Sequence, residues 1–159
     1  MMGFASNLQT EIDTHLNVLT IARTGNYDSF SKTGDALDRM LSIYGGSSWH
    51  YTSPSGKNPD LHHALLSRSL GGGLAYVGVI CNSGYGFGLS ANLRGNFVNM
   101  NNAAIWDMTV FMHEVGHNFS SGHTHDGYSP KVDTCGVSCP AALPLPKSST
   151  LMSYCHGCR

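Results

Sequence analysis

With 159 residues the chain is long enough for one domain with a true hydrophobic core and leaves little room for a second. Nine basic against ten acidic side chains give a formal net charge of −1, so the basic surface that nucleic acid or an anionic membrane calls for is missing. No apolar run approaches a membrane span, the opening MMGFASNLQTE lacks the charged start and apolar stretch of a secretory signal, and the nineteen glycines follow no period, which excludes collagen and solenoid architectures.

In chain order, residues 10–23, TEIDTHLNVLTIAR, alternate Ile12, Thr14, Leu16 and Val18 against Asp13, His15 and Asn17. That pattern predicts a strand, with a helix as the close alternative. Residues 29–46, SFSKTGDALDRMLSIYGG, set Ala36, Leu37, Met40, Leu41 and Tyr44 on one helical stripe that stops at Gly45 and Gly46. Residues 47–60 hold two prolines among small polar residues and read as a loop. LHHALLSRS, from Leu61, and GLAYVGVICNS, from Gly73, are short apolar runs that predict buried strands; FGLSANL, from Phe87, alternates more clearly and predicts an edge strand. From about residue 102 to 119 the period is helical, with Met108, Phe111, Met112, Val115 and Phe119 along one side and Asn101 or Asn102 as N-cap. Beyond Gly122, Pro130, Pro140, Pro144 and Pro146 forbid long elements.

The predicted helix carries the chemistry, in HEVGHNFSSGH from His113 to His123. Residues four apart on a helix stand on one face about 6 Å apart along the axis, so His113 and His117 can turn their rings to one cation. Glu114 lies beside them, placed to take a proton from a water at that cation rather than to ligate it. His123 follows six residues after His117, across a stretch able to end the helix and turn the chain back. Three neutral nitrogens with one position open is the coordination of catalytic zinc. A histidine in a helix is more often a surface or core residue, and this chain has nine; Glu114, however, is one of only two glutamates in the sequence.

HEVGHNFSSGH together with LMSY, residues 151–154, resembles the metzincin zinc endopeptidases, whose pattern is H-E-x-x-H-x-x-G-x-x-H followed by a methionine-containing turn. HEVGHNF, HTHD and GLAYVG are most similar to the reprolysin-like, or adamalysin-like, branch. The resemblance implies an α/β (α+β) catalytic domain. Its twisted, mostly parallel sheet would have an antiparallel edge strand and an active-site helix, with an upper part over residues 1–122 and an irregular lower part over 123–159. It implies that His113, His117 and His123 bind Zn2+, that Glu114 is general base and then proton donor, and that Met152 forms the apolar floor under the metal. Tyr154 matches the place of a tyrosine that touches the zinc or the oxyanion in other metzincin branches, and an ordinary core or surface tyrosine is the alternative. His125 is a substitute third ligand should the turn be displaced, and Asp126 resembles an aspartate that follows the third histidine in reprolysins and supports the fold there. A protein or peptide substrate would lie along the edge strand, expected within NSGYGFGLSANL.

Two departures accompany the likeness. The glycine of the pattern falls on Ser120, with Gly122 two residues late, and a non-glycine residue at positive φ costs roughly 1 kcal/mol or more. Family domains also begin earlier and run on past the methionine turn, so a partial or shortened domain is expected. Five cysteines, four from Cys135 onward, suggest an oxidising, extracellular setting. CGVSC and CHGC would form disulfides by the reprolysin likeness, or a structural zinc site by spacing alone. NFS at Asn118 matches a glycosylation acceptor, but on the metal helix. The expected function is a zinc-dependent endopeptidase; the alternatives are a catalytically silent peptide-binding module of the same fold and a small cysteine-stapled domain with incidental histidines.

Overall fold

Phe87–Ser90 sets the architecture, because large and small residues alternate along it and each kind serves a different layer. A computed structural model of the chain describes residues 30–44, 61–80, 82, 84–95, 106–132 and 150–154. Among these, helix α1 spans Thr33–Tyr44, strands β1, β2 and β3 span His62–Leu65, Gly73–Ala75 and Phe87–Ser90, and helix α2 spans Trp106–Asn118. The strands form one mixed sheet in the order β1-β3-β2, with β1 parallel and β2 antiparallel to β3. The mixed α/β class is the one expected from the sequence; the described sheet is small, with α1 against one face of β3 and α2 against the other.

Phe87, Leu89 and Ala91 point to one face, where they meet Ala36, Leu37 and Met40 of α1 and Leu70 in the main core. The apolar stripe of α1 accounts for this burial, and Asp35 in its first turn suits the positive end of the helix. Gly88 and Ser90 point to the opposite face, under α2. There His63 of β1 bonds Ser90 Oγ at 2.8 Å, and its ring meets Phe111 edge-on at 4.8 Å. All four residues of β3 are therefore buried, as expected of a strand covered on both sides.

This corrects the edge-strand expectation for the run that starts at Phe87. Gly88 and Ser90 look like the solvated half of an alternating strand, but they are small because a helix and a histidine lie on them. The edge positions among the described strands belong instead to β1 and β2, of which β2 is the antiparallel one. The run beginning at Gly73 also stays in the sheet for only three residues. At Gly78, where φ is 68°, the chain leaves it, and the amides of Gly78, Val79 and Ile80 bond carbonyls at the end of α2. Neither β1 nor β2 is fully buried, since both flank the central strand. The strand predicted at 10–23, the loop at 47–60, the N-cap at Asn101 or Asn102 and all five cysteines lie outside the described residues.

α2 departs from expectation in the face it buries. Val110 is buried as an apolar helix residue should be, but its companions are Asp107, His113, Glu114, His117 and Asn118. Met108, Phe111, Met112 and Val115 are only partly covered, and Phe119 is 48% exposed. A polar face turned inward is costly unless each group is satisfied, and several are. The Asp107 carboxylate accepts the Arg94 amide at 2.9 and 3.0 Å, and Asn118 Nδ2 donates to the carbonyls of Tyr76 and Phe87, both at 3.0 Å. Asn118 thereby pins the end of α2 to the sheet; its amide nitrogen is occupied and fully buried, so a glycan has no access to it in the folded chain.

Burial lowers the pKa of His63 from its ordinary 6.5 to about 4. A histidine depressed in this way contributes stability that is intact above pH 6.5 and lost as pH falls toward 4. Urea unfolding between pH 7 and 5 should show stability falling, with His63 alone accounting for roughly 2 kcal/mol. His63→Leu should flatten that slope by about one proton; an unchanged slope would assign the acid sensitivity elsewhere.

Candidate metal centre

Three imidazoles meet where the end of α2 turns back toward the sheet. His117 Nε2 lies 3.1 Å from His113 Nε2 and 3.1 Å from His123 Nε2. His113 and His117 are brought together by the four-residue helical spacing, and His123 by the turn that follows. The opposite nitrogens explain the meeting. His113 Nδ1 donates to the Leu151 carbonyl at 2.9 Å and His117 Nδ1 to the Ser121 carbonyl at 2.7 Å. A carbonyl oxygen only accepts, so each Nδ1 carries the proton and each Nε2 of the neutral ring presents a bare lone pair. Lone pairs converging in this way repel, unless a cation is shared among them. A tetrahedral zinc with bonds of about 2.0–2.1 Å has ligand-to-ligand edges of about 3.4 Å, near the observed separations. The donor set therefore fits a zinc ion on this chain's own geometry, with the Nδ1 bonds as the outer supports such ligands use.

The turn answers the question that Ser120 raises. Ser121 N–H donates to the Gly116 carbonyl at 3.0 Å and Ser120 N–H to the His117 carbonyl at 2.9 Å, the paired bonds of a Schellman helix end. Such an end requires a left-handed residue at its first non-helical position, and Ser120 adopts it with φ of 71°. The register of the histidines is kept, and the cost is local backbone strain rather than a displaced ring. Gly122 takes no positive φ; it is small because Gly127 passes against it, and a Cβ there would come 3.2 Å from Gly127 Cα.

Glu114 sits beside the histidines, buried, with its carboxyl pushed up to about 8 by that burial. Its neighbour from the sheet is Gly73 of β2, where any Cβ would overlap the Glu114 side chain. The segment 150–154 closes the far side. Met152 lies against Gly116, whose Cβ would be 2.6 Å from the Met152 sulfur, and Thr124 ties the segment down through its amide to the Met152 carbonyl at 3.2 Å and its hydroxyl to Thr150 at 2.7 Å. The Tyr154 hydroxyl lies 3.4 Å from His123 Nδ1, and its ring centre 4.5 Å from that of His123. Burial, then Asp126 and Glu114, push the Tyr154 hydroxyl pKa up. His125 does not replace His123 in the cluster; it lies behind it, with ring centres 5.3 Å apart. Gly73 and Gly116 are the residues that sequence reasoning passed over: only the packed structure shows that a side chain at either would strike Glu114 or Met152.

The family model of metallo-peptidase family M12B, reprolysin-like, matches residues 3–124, most of the chain and all three histidines. The protein belongs to that family: it is a reprolysin-like metzincin and carries a metallopeptidase-type domain. Members of the family are metal-dependent, typically on zinc, and act on proteins or peptides. No curated protein matches the chain.

Ser120→Gly should relieve the positive-φ strain without moving a ring, raising unfolding stability by about 1 kcal/mol. Denaturant midpoints measure it, and a loss of stability would mean that the serine hydroxyl is needed at the turn.

Proposed function

We propose that this domain is an active zinc-dependent endopeptidase in which His113, His117 and His123 hold the metal and Glu114 is the general base. The observation that carries the reading is the pair of carbonyls at Leu151 and Ser121, which fix two rings with their Nε2 lone pairs turned toward a common point. Bound there, zinc would supply Lewis acidity, polarising the scissile carbonyl and bringing a water's pKa near 7. Glu114, whose pKa burial raises, is favoured in its ionised form by a dication at the three rings, and it then takes the proton of the attacking water and passes it to the leaving amine. Met152 floors the site beneath Gly116, and Tyr154 supports the ring of His123 from its Nδ1 side.

The substrate in this reading is an extended polypeptide laid along β2. In the antiparallel pairing of β2 with β3, the bonds from Ala91 N–H to the Gly72 carbonyl and from Tyr76 N–H to the Phe87 carbonyl mark which residues face inward. The peptide groups of Gly73 and Ala75 then face away from β3, free in direction to bond a substrate main chain. Gly73 also stands over Glu114, so the same residue that offers backbone to the substrate leaves room for the base. An extracellular setting accompanies the family assignment, and among the described residues no helix is long and apolar enough to cross a membrane.

The silent-module alternative rests on Ser120 and on a shortened domain; the turn that Ser120 keeps supports the active reading on the first of these grounds. Purified protein is expected to hold about one zinc at the three histidines and to cleave a protein substrate in a chelator-sensitive way. Glu114→Ala should lower turnover by roughly 10²–10⁴-fold while the zinc remains; zinc without cleavage in the wild type would favour a silent binding module. Gly73→Ala is the companion: crowding Glu114 should cost roughly 10²-fold in turnover with zinc content unchanged.

A further inference from the structure

Between β1 and β2 the chain closes over the end of β3, where Leu93 N–H bonds the Leu66 carbonyl and Ala91 N–H the Gly72 carbonyl. There it leaves a cleft of about 370 Å³, lined among the described residues by Ser69, Asn92, Arg94 and Trp106. That size lies within the range of small-ligand sites. Hydrogen bonds fix its walls. Asn92, at φ of 60°, donates its amide to the Arg68 carbonyl at 2.8 Å and accepts the Leu70 amide on Oδ1 at 2.9 Å. Trp106 Nε1 donates to the Ala91 carbonyl at 3.3 Å, which holds the indole against the end of β3. Arg94 is rooted by its own amide, which both oxygens of the buried Asp107 accept.

The Arg94 guanidinium is left over from this arrangement. Arg94 is exposed, no ion pair among the described residues includes it, and the Asp107 carboxylate at its backbone is already committed to the amide. An exposed arginine is commonplace; this one stands in the wall of a cleft tied to the candidate metal centre. Gly72 is the link. A Cβ there would come 4.0 Å from the Trp106 ring, and the next residue, Gly73, lies over Glu114. Gly71 and Gly72, at φ of 101° and 125°, hold conformations that side-chain-bearing residues rarely adopt, so bare backbone runs between the cleft and the base. Trp106 precedes Glu114 by eight residues of α2. That is about 12 Å along the axis, the reach of roughly three or four residues of extended chain.

We propose that this cleft is a substrate subsite for a carboxylate, read by Arg94 at roughly three or four positions from the bond cut beside Glu114. A guanidinium is a planar fork of N–H donors that matches a carboxylate with two parallel bonds, whereas a neutral amide offers it one oxygen. The carboxylate comes from an acidic side chain of the polypeptide or from its free C-terminus. The inference rests on the endopeptidase reading for the position of the cut bond, and on the cleft alone for the binding.

Fluorescence anisotropy of short labelled peptides on the zinc-loaded Glu114→Ala chain tests this without cleavage. One series moves a single Glu along the peptide, a matched series carries Gln, and each is made as C-terminal acid and as amide. One Glu position should bind roughly 5–10-fold more tightly than its Gln match; where the C-terminus is the source, the acid should exceed the amide instead. Arg94→Gln should erase the difference, Arg94→Lys keep part of it, and Arg94→Glu turn it in favour of Lys peptides. These changes leave the backbone bond to Asp107 in place, and thermal unfolding checks that each variant folds. Equal binding of charged and neutral peptides by the parent chain, no binding at all, or a preference that survives Arg94→Gln overturns the subsite. So does an equal loss of affinity for every peptide in Arg94→Gln, which would make Arg94 structural. Cleavage by wild type is scored separately: carboxylate preference without cleavage supports the subsite and overturns the endopeptidase reading, and cleavage without preference does the reverse.

Discussion

The proton on Nδ1 is the constraint from which the rest of the site follows. Two backbone carbonyls, from Leu151 and Ser121, decide which nitrogen of His113 and His117 carries hydrogen. Once that is decided, the Nε2 lone pairs have no hydrogen-bonding use toward one another, and their separation of 3.1 Å makes sense as a cavity edge for a cation. The carbonyls come from distant parts of the chain, one in the turn after α2 and one in the segment at 150–154. The loop floor therefore takes part in orienting the rings: remove Leu151 from its place and His113 can turn.

The same economy appears in the glycines. A helix that buries histidines and a glutamate cannot also bring a thick apolar face to the sheet, so the sheet beneath it is thinned. Gly73, Gly88 and Ser90 lie under α2, and Gly116 of the helix itself admits Met152 from the other side. Each lets a functional or supporting side chain approach within contact distance. The apolar driving force comes from the opposite face, where Ala36, Leu37 and Met40 of α1 meet Phe87 and Leu89. One face of β3 supplies the packing and the other accommodates the chemistry.

How much of this was legible in the sequence depended on whether the signal was local. The i, i+4 spacing of His113 and His117 and the stripe of α1 are properties of single helices, and both read directly. The rank of a strand within a sheet is not local, and the run from Phe87 misled for a physical reason: small residues alternating with large ones look solvated, yet here they mark a helix overhead. The buried face of α2 misled likewise. Periodicity assumes that the buried side is the apolar one, whereas Asp107, His113, Glu114, His117 and Asn118 turn inward because carbonyls, an amide and the sheet satisfy several of them. Gly73 and Gly116 carried no signal that distinguished them among nineteen glycines.

Ser120 shows how a departure from a pattern can be absorbed. The helix end needs a left-handed residue to bring Ser121 N–H back to the Gly116 carbonyl, and that bond is what turns the chain toward His123. Two solutions were open: move the turn to Gly122, which is free of the φ penalty, or force Ser120 into it. Moving the turn by two residues would swing His123 through rather more than half a helical turn and separate its Nε2 from that of His117. It would also break the close passage of Gly122 against Gly127. Several hydrogen bonds and the meeting of the rings thus outweigh a strain of about 1 kcal/mol, and φ at Ser120 takes its value of 71° because everything around it is already positioned.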